Sequence, residues 1–177
     1  RLPGEYRVIA IDLPGHGSST RDAQTTYTIE FIVQGFAAAA EELGLERFHL
    51  AGNSMGGYVG VLYSAHNPGK VLTLCLIDPA GAASPVPSDL QLAVERGENP
   101  LVPKSRDDFD ILSSYGFHNR PFIPWPIADV LADRYVERSV FNEKMWTDIH
   151  RHWEDISRYL GALDMPVSAF MTAEVIS

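Results

Sequence analysis

Two kinds of hydrophobic spacing alternate along the first eighty residues. Val8-Ile9-Ala10-Ile11-Asp12 is a continuous apolar run closed by a carboxylate, the pattern of a parallel strand covered on both faces. Leu13-Pro14-Gly15-His16-Gly17-Ser18-Ser19 follows as a turn-rich loop. Ile29, Ile32, Val33, Phe36, Ala37, Ala40 and Leu43 then recur at the 3.6-residue spacing of an amphipathic helix. Thr26 or Thr28 suits its N-cap, and Gly44 stands where a C′ glycine belongs. A short apolar run, Phe48 to Ala51, predicts a second strand. An apolar helix follows it to about His66, where Asn67-Pro68-Gly69 stops the ladder. Val71 to Ile77 predicts a third strand, ending in Asp78-Pro79-Ala80-Gly81. This rhythm predicts an α/β chain, its sheet mainly parallel and flanked by helices.

From about residue 82 the β pattern stops. Ser84-Pro85-Val86-Pro87 opens a stretch read as an insertion over 83–163, with short helices such as Ile127 to Arg138 and Asn142 to Leu160. Met165 to Met171 returns to a strand-like pattern. The chain therefore divides into a core segment 1–82, a helical cap insertion 83–163 and a returning core strand in 164–177. Within the insertion, Phe117, Phe122, Ile123, Trp125 and Ile127 form an apolar, aromatic cluster. Phe117, Phe122, Ile123 and Trp125 are the candidate substrate-binding residues, expected to line a greasy pocket above Ser54.

Composition narrows the classes. The chain has 177 residues, 45% hydrophobic and 21% charged, which suits an ordinary globular protein. A net charge of −9 argues against a nucleic acid or an anionic membrane held by charge. The single cysteine, Cys75, excludes an internal disulfide and is expected to be a buried, inert thiol. No apolar run reaches the length of a membrane span. His150 and His152 point to different sides of a helix and no H-E-x-x-H occurs, so no metal or cofactor is expected. Compartment and oligomeric state are left open.

The chemistry concentrates in Ala51-Gly52-Asn53-Ser54-Met55-Gly56-Gly57, a G-x-S-x-G between an apolar strand and a small-residue helix. That context is the one in which the motif forms a nucleophile elbow. Gly52 and Gly56 carry no Cβ, so strand and helix can pass close to the turn. The turn aims Ser54 Oγ out of the sheet, and the first N–H groups of the helix are left without intrahelical partners. Those donors and the helix dipole favour negative charge beside the serine, as an acyl-transfer intermediate supplies. His16 and Asp12 read instead as residues that stabilise their own loop through local hydrogen bonds.

Three stretches carry a resemblance to a known family: Ile11 to Ser19, Ala51 to Gly57 and Leu76-Ile77-Asp78-Pro79-Ala80-Gly81. The chain resembles the α/β-hydrolase fold, and within it bacterial lipases of the monoacylglycerol/triacylglycerol type. Asn99-Pro100-Leu101 and Arg120-Pro121-Phe122-Ile123-Pro124 look like the lipase-type cap. The resemblance implies a serine nucleophile followed in chain order by an acid and a histidine, and ester hydrolysis without a metal. It implies Ser54 as nucleophile and the Met55 backbone N–H as oxyanion donor. Glu174, after the last strand, and Asp78, after the Val71–Ile77 strand, are the two acid candidates. The partner implied is a small-molecule or lipid ester. A C–C bond hydrolase of the same fold is the alternative chemistry, and a catalytically dead fragment or interaction module the alternative class.

The resemblance also has gaps. The loop carrying the family's second oxyanion donor has no counterpart, and no histidine follows His152. The chain is therefore expected to be an interior piece of a longer hydrolase. In the family, one strand lies between those matching Val8–Asp12 and Phe48–Ala51. Its absence predicts that these two stand about 10 Å apart, unpaired, rather than joined by a ladder.

Overall fold

The computed structural model describes residues 5–82, 86–116, 121–151 and 153–171. Described residues within Arg1–Ala83 and Ile149–Ser177 form one compact unit, and those within Ser84–Asp148 form another.

The first unit is built on a parallel three-stranded sheet in the order β1 (Phe48–Asn53), β2 (Val71–Ile77), β3 (Val167–Phe170). Helix α1 (Ile29–Glu42) precedes β1, and α2 (Met55–His66) connects β1 to β2. The stripe of α1 buries Ile29, Ile32, Val33, Phe36 and Ala40. Of the two threonines, Thr28 is the cap: its hydroxyl accepts the Phe31 N–H at 3.2 Å. Helix α2 is apolar all round and is buried from Gly57 through Ser64, as a helix without a polar face must be. Edge-to-face packing of Phe36 on Tyr63, with centroids 4.9 Å apart, joins the two helices. Phe48 of β1 completes that cluster, 5.9 Å from Tyr63.

Three expectations are corrected. Val8–Asp12 is not a strand: these residues join no ladder, and Val8 is 68% exposed. An apolar run becomes a strand only where a neighbour supplies the other half of the hydrogen bonds, and no ladder links it to β1 among the described residues. Cys75 is half-buried rather than sealed. Leu74 and Leu76 of β2 are buried, whereas Cys75 alternates to the opposite face, in register with Ala51 and Ser168. The helix expected from Asn142 to Leu160 is two elements, α6 (Ser139–His150) and a 3-10 helix over Ile156–Ala162. The break falls where the Tyr58 hydroxyl engages both backbone groups of Glu154, and Asp155 starts the 3-10 helix by accepting the Ser157 N–H at 2.8 Å. These bonds take backbone groups that a continuous helix would have used.

The second unit is helical: α3 (Asp89–Glu95), α4 (Arg106–Gly116), α5 (Ile127–Glu137) and most of α6. Residues 149–163, drawn into the insertion from composition alone, lie in the sheet unit. Ser105 and Asp108 open α4 reciprocally. The Asp108 carboxylate accepts two backbone N–H bonds at 2.9 Å, and the Ser105 hydroxyl accepts the Asp108 N–H at 3.2 Å. Arg106 then bridges α4 to α5 with two 2.7 Å bonds to Asp133.

The α1 cap gives a direct stability test. Thr28→Ala should lower stability by about 1 kcal/mol, whereas exposed Thr26→Ala should change it by less than about 0.5 kcal/mol. Urea unfolding of both variants separates them, and equal losses would show that the cap is not the Thr28 hydroxyl.

Candidate active site

Ser54 stands between the last residue of β1 and the first of α2, with φ 50° and ψ −119°. A non-glycine residue at positive φ is held there by its surroundings. Here the holding groups are backbone. The Ser54 N–H donates to Ile77 O at 3.0 Å, and its carbonyl accepts the N–H groups of Ala80 (3.0 Å), Gly57 (3.0 Å) and Tyr58 (3.2 Å). The Asn53 side chain adds a second bond to Ile77 O, also 3.0 Å. Ser54 occupies the N-cap of α2, yet its hydroxyl makes no capping bond and the residue is exposed. Oγ is therefore not committed to its own helix.

The two glycines of the motif have unequal roles. A Cβ on Gly52 would lie 2.3 Å from Gly56 O and 2.6 Å from Gly57 N, inside the helix backbone. A Cβ on Gly56 would meet nothing within 4 Å. The close passage therefore requires Gly52 and not Gly56, whose contribution is the backbone that Gly52 must clear. The sequence pattern cannot show this, because spacing treats the two glycines alike.

Met55 is the first residue of α2, so its N–H belongs to the group left without an intrahelical acceptor. Asp78 lies at the end of β2, the strand beside the elbow strand, and is the other non-glycine residue at positive φ (42°) among those described. Its N–H is fixed to Phe170 O of β3 at 2.8 Å. Glu174 and Phe117 lie outside the described residues. Phe122 and Trp125 are 90% and 78% exposed, and Ile123 is half-buried. These three are in the second unit and Ser54 in the first. The Trp125 indole N–H donates to Asp129 at 2.9 Å.

The described histidines have local partners. His16 Nδ1 donates to Pro14 O at 3.1 Å, which leaves Nε2 as the acceptor nitrogen. The same loop is closed by Asp12, whose carboxylate accepts Ser18 N–H (2.8 Å) and whose carbonyl accepts the Ser19 hydroxyl (2.6 Å). His49 bonds Thr73 across β1 and β2 at 2.8 Å, and the His150 ring stacks on Trp153. His152 lies outside the described residues. Among those described, no helix is long and apolar enough to cross a membrane.

Residues 2–110 match the family described as alpha/beta hydrolase fold. The chain belongs to that family. This alpha/beta hydrolase is 39% identical over 154 residues to the monoacylglycerol lipase abhd6-A of Xenopus laevis, which covers 82% of the chain and 46% of that protein. Lipase 1 of Psychrobacter immobilis is 31% identical over 146 residues, covering 81% of the chain and 46% of the lipase. Among solved structures, a bacterial membrane phospholipase A superposes with a TM-score of 0.86 at 37% identity, over 89% of this chain and 51% of that one. A meta-cleavage product hydrolase from Pseudomonas fluorescens reaches a TM-score of 0.69 at 21% identity, a likeness of fold alone. The chain spans about half the length of the curated relatives it matches.

Sequence reasoning missed the backbone groups that hold Ser54, at Ile77 and Ala80, and the contact of Tyr58 with Glu154. The available signal was a pair of tyrosine hydroxyls, Tyr58 and Tyr63, in a mostly apolar helix, and spacing does not say which of them finds a distant partner.

Two measurements check this geometry. Gly52→Ala should destabilise the alpha/beta hydrolase chain by about 3 kcal/mol or more, because backbone must move, while Gly56→Ala should be neutral or stabilising by up to about 1 kcal/mol. Equal losses in chemical denaturation would refute the asymmetry. Burial, opposed by the Pro14 carbonyl, holds His16 below its ordinary value of 6.5. The unfolded chain takes up this proton near pH 6.5 while the folded one resists. The stability His16 contributes is then present above pH 6.5 and lost as pH falls from there through the lowered folded value. His16→Gln should flatten the fall in urea midpoint between pH 7.5 and 5, and an unchanged slope would contradict it.

Proposed function

We propose that this chain carries the nucleophile of a serine ester hydrolase that acts on acylglycerol-like esters. The single observation behind the proposal is the state of Ser54: exposed, at positive φ, at a strand-to-helix turn, with a hydroxyl that does not cap its own helix. Ser54 Oγ attacks the ester carbonyl while a base takes its proton. The tetrahedral intermediate then breaks its C–O bond to the alcohol, which leaves with that proton, and water hydrolyses the resulting acyl-enzyme to the free acid and Ser54. Negative charge on the carbonyl oxygen is met by the Met55 N–H and the amino-terminal end of α2. The lipase names of the relatives support an ester with an apolar acyl chain. Phe122, Ile123 and Trp125 are proposed as an apolar, lipid-contacting surface of the second unit taken by itself, supported by the exposure of the two aromatic rings.

Of the two acid candidates, Asp78 draws support from its position. Its strand neighbours that of Ser54, and its left-handed backbone is the kind of strain that collects at functional sites. Glu174 stays open as the second.

The test is covalent. A fluorophosphonate probe should modify the chain once, with the adduct mapped by mass spectrometry to Ser54. Ser54→Ala should remove the labelling and lower turnover of a monoacylglycerol by about a thousandfold or more, with its unfolding midpoint near that of the parent. An adduct elsewhere, or none, would contradict the reading of Ser54 as nucleophile.

A further inference from the structure

Tyr58 lies in the first turn of α2 and is wholly buried, at 0% exposure. A buried phenol is costly unless its hydroxyl is bonded. Here it donates to Glu154 O at 3.0 Å and accepts Glu154 N–H at 3.2 Å, taking both polar groups of one backbone residue. The ring packs on Trp153 with centroids 4.5 Å apart. It also presses on Gly81, where a Cβ would come within 2.3 Å of the Tyr58 ring carbons; that glycine sits at φ 79°. The Gly81 carbonyl in turn accepts the Ile156 N–H at 3.0 Å. Its neighbour Ala80 supplies one of the bonds to the Ser54 carbonyl, and Tyr58 supplies another through its own N–H. The contacts close a circuit: Ser54, Ala80, Gly81, Ile156, Glu154, Tyr58 and back to Ser54.

We propose that Tyr58 is a positioning residue for Ser54, acting by clamping the Trp153–Ile156 segment against the loop that holds the serine backbone. The proposal rests on the reading of Ser54 as nucleophile. Phenylalanine at 58 would fill the same space, so packing alone does not account for the hydroxyl. What the hydroxyl adds is a fixed Glu154 backbone, which sets Ile156 against Gly81 and so sets the Ala80 N–H against Ser54. Without it, the positive φ of Ser54 loses part of its support and the direction of Oγ spreads. Misplacement on the order of 1 Å costs up to about a hundredfold in rate.

The experiment reads fluorophosphonate labelling as two constants, the maximal rate of modification and the half-saturating probe concentration. Tyr58→Phe should lower the maximal rate about tenfold and leave the half-saturating concentration within about twofold. Ile156→Pro breaks the circuit at a different bond, by removing the N–H that reaches Gly81. The first position of a helix tolerates proline, and this variant should show the same loss. Tyr63→Phe, the other buried tyrosine of α2, should label like the parent. So should Glu154→Ala, which keeps the backbone groups Tyr58 engages. Amide hydrogen exchange reads the clamp without any chemistry at Ser54. In Tyr58→Phe the protection of Ala80 should fall about tenfold while Leu50 and Cys75 stay unchanged. Parental labelling rates in both Tyr58→Phe and Ile156→Pro, or unchanged protection of Ala80, would overturn the proposal. If the parent chain carries no adduct on Ser54, the nucleophile reading fails, and the exchange result still decides whether the clamp exists.

Discussion

The backbone of Ser54 is gripped from both sides, its N–H by Ile77 at the end of the neighbouring strand and its carbonyl by Ala80 in the turn that follows. Much of the site follows from that grip. A serine at φ 50° depends on such backbone bonds, because nothing in its own side chain favours the left-handed region. The grip requires β1 and β2 to be adjacent and in register, and the register Asn53 to Ile77 supplies this. That adjacency in turn requires the crossover helix α2 to pass over Gly52 at a distance no side chain would allow. One backbone constraint thus runs from sheet register through glycine placement to the exposure of a hydroxyl.

The legible part of this architecture was the part written in side-chain periodicity. The stripe of α1, the apolar helix α2 with its stop at Asn67-Pro68-Gly69, and the β1-α2-β2 order all follow from spacing. So does the place of Ser54 at a strand-to-helix turn. What periodicity could not show is where a backbone finds its partners. Val8–Asp12 has the composition of a covered strand and joins no ladder, since a strand is a property of two segments. Residues 142–160 have helical spacing throughout, yet Tyr58, nearly a hundred positions away, captures Glu154 and splits them into two elements. Cys75 is apolar by context and half-exposed by alternation, because only one face of β2 buries its neighbours Leu74 and Leu76.

The candidate site divides in the same way. Ser54 and Met55 became candidates because a sharp strand-to-helix turn needs a particular local sequence, and Ser54 does stand between β1 and α2. Acid and apolar candidates are set by long-range geometry, and spacing left them as a choice between Asp78 and Glu174. The left-handed backbone of Asp78 is information that only the structure holds. Phe122 and Trp125 are among the most exposed large apolar side chains described, in a helical unit otherwise rich in ion pairs such as Arg106 with Asp133.

The most direct test of the central claim is a crystal structure of the chain after reaction with a fluorophosphonate. In the adduct, phosphorus should be bonded to Ser54 Oγ, with the Ser54 backbone still at positive φ and a phosphonyl oxygen about 2.7–3.1 Å from the Met55 nitrogen. A phosphonyl oxygen turned away from Met55, or a Ser54 that has relaxed to negative φ with its bonds to Ile77 and Ala80 broken, would contradict that claim.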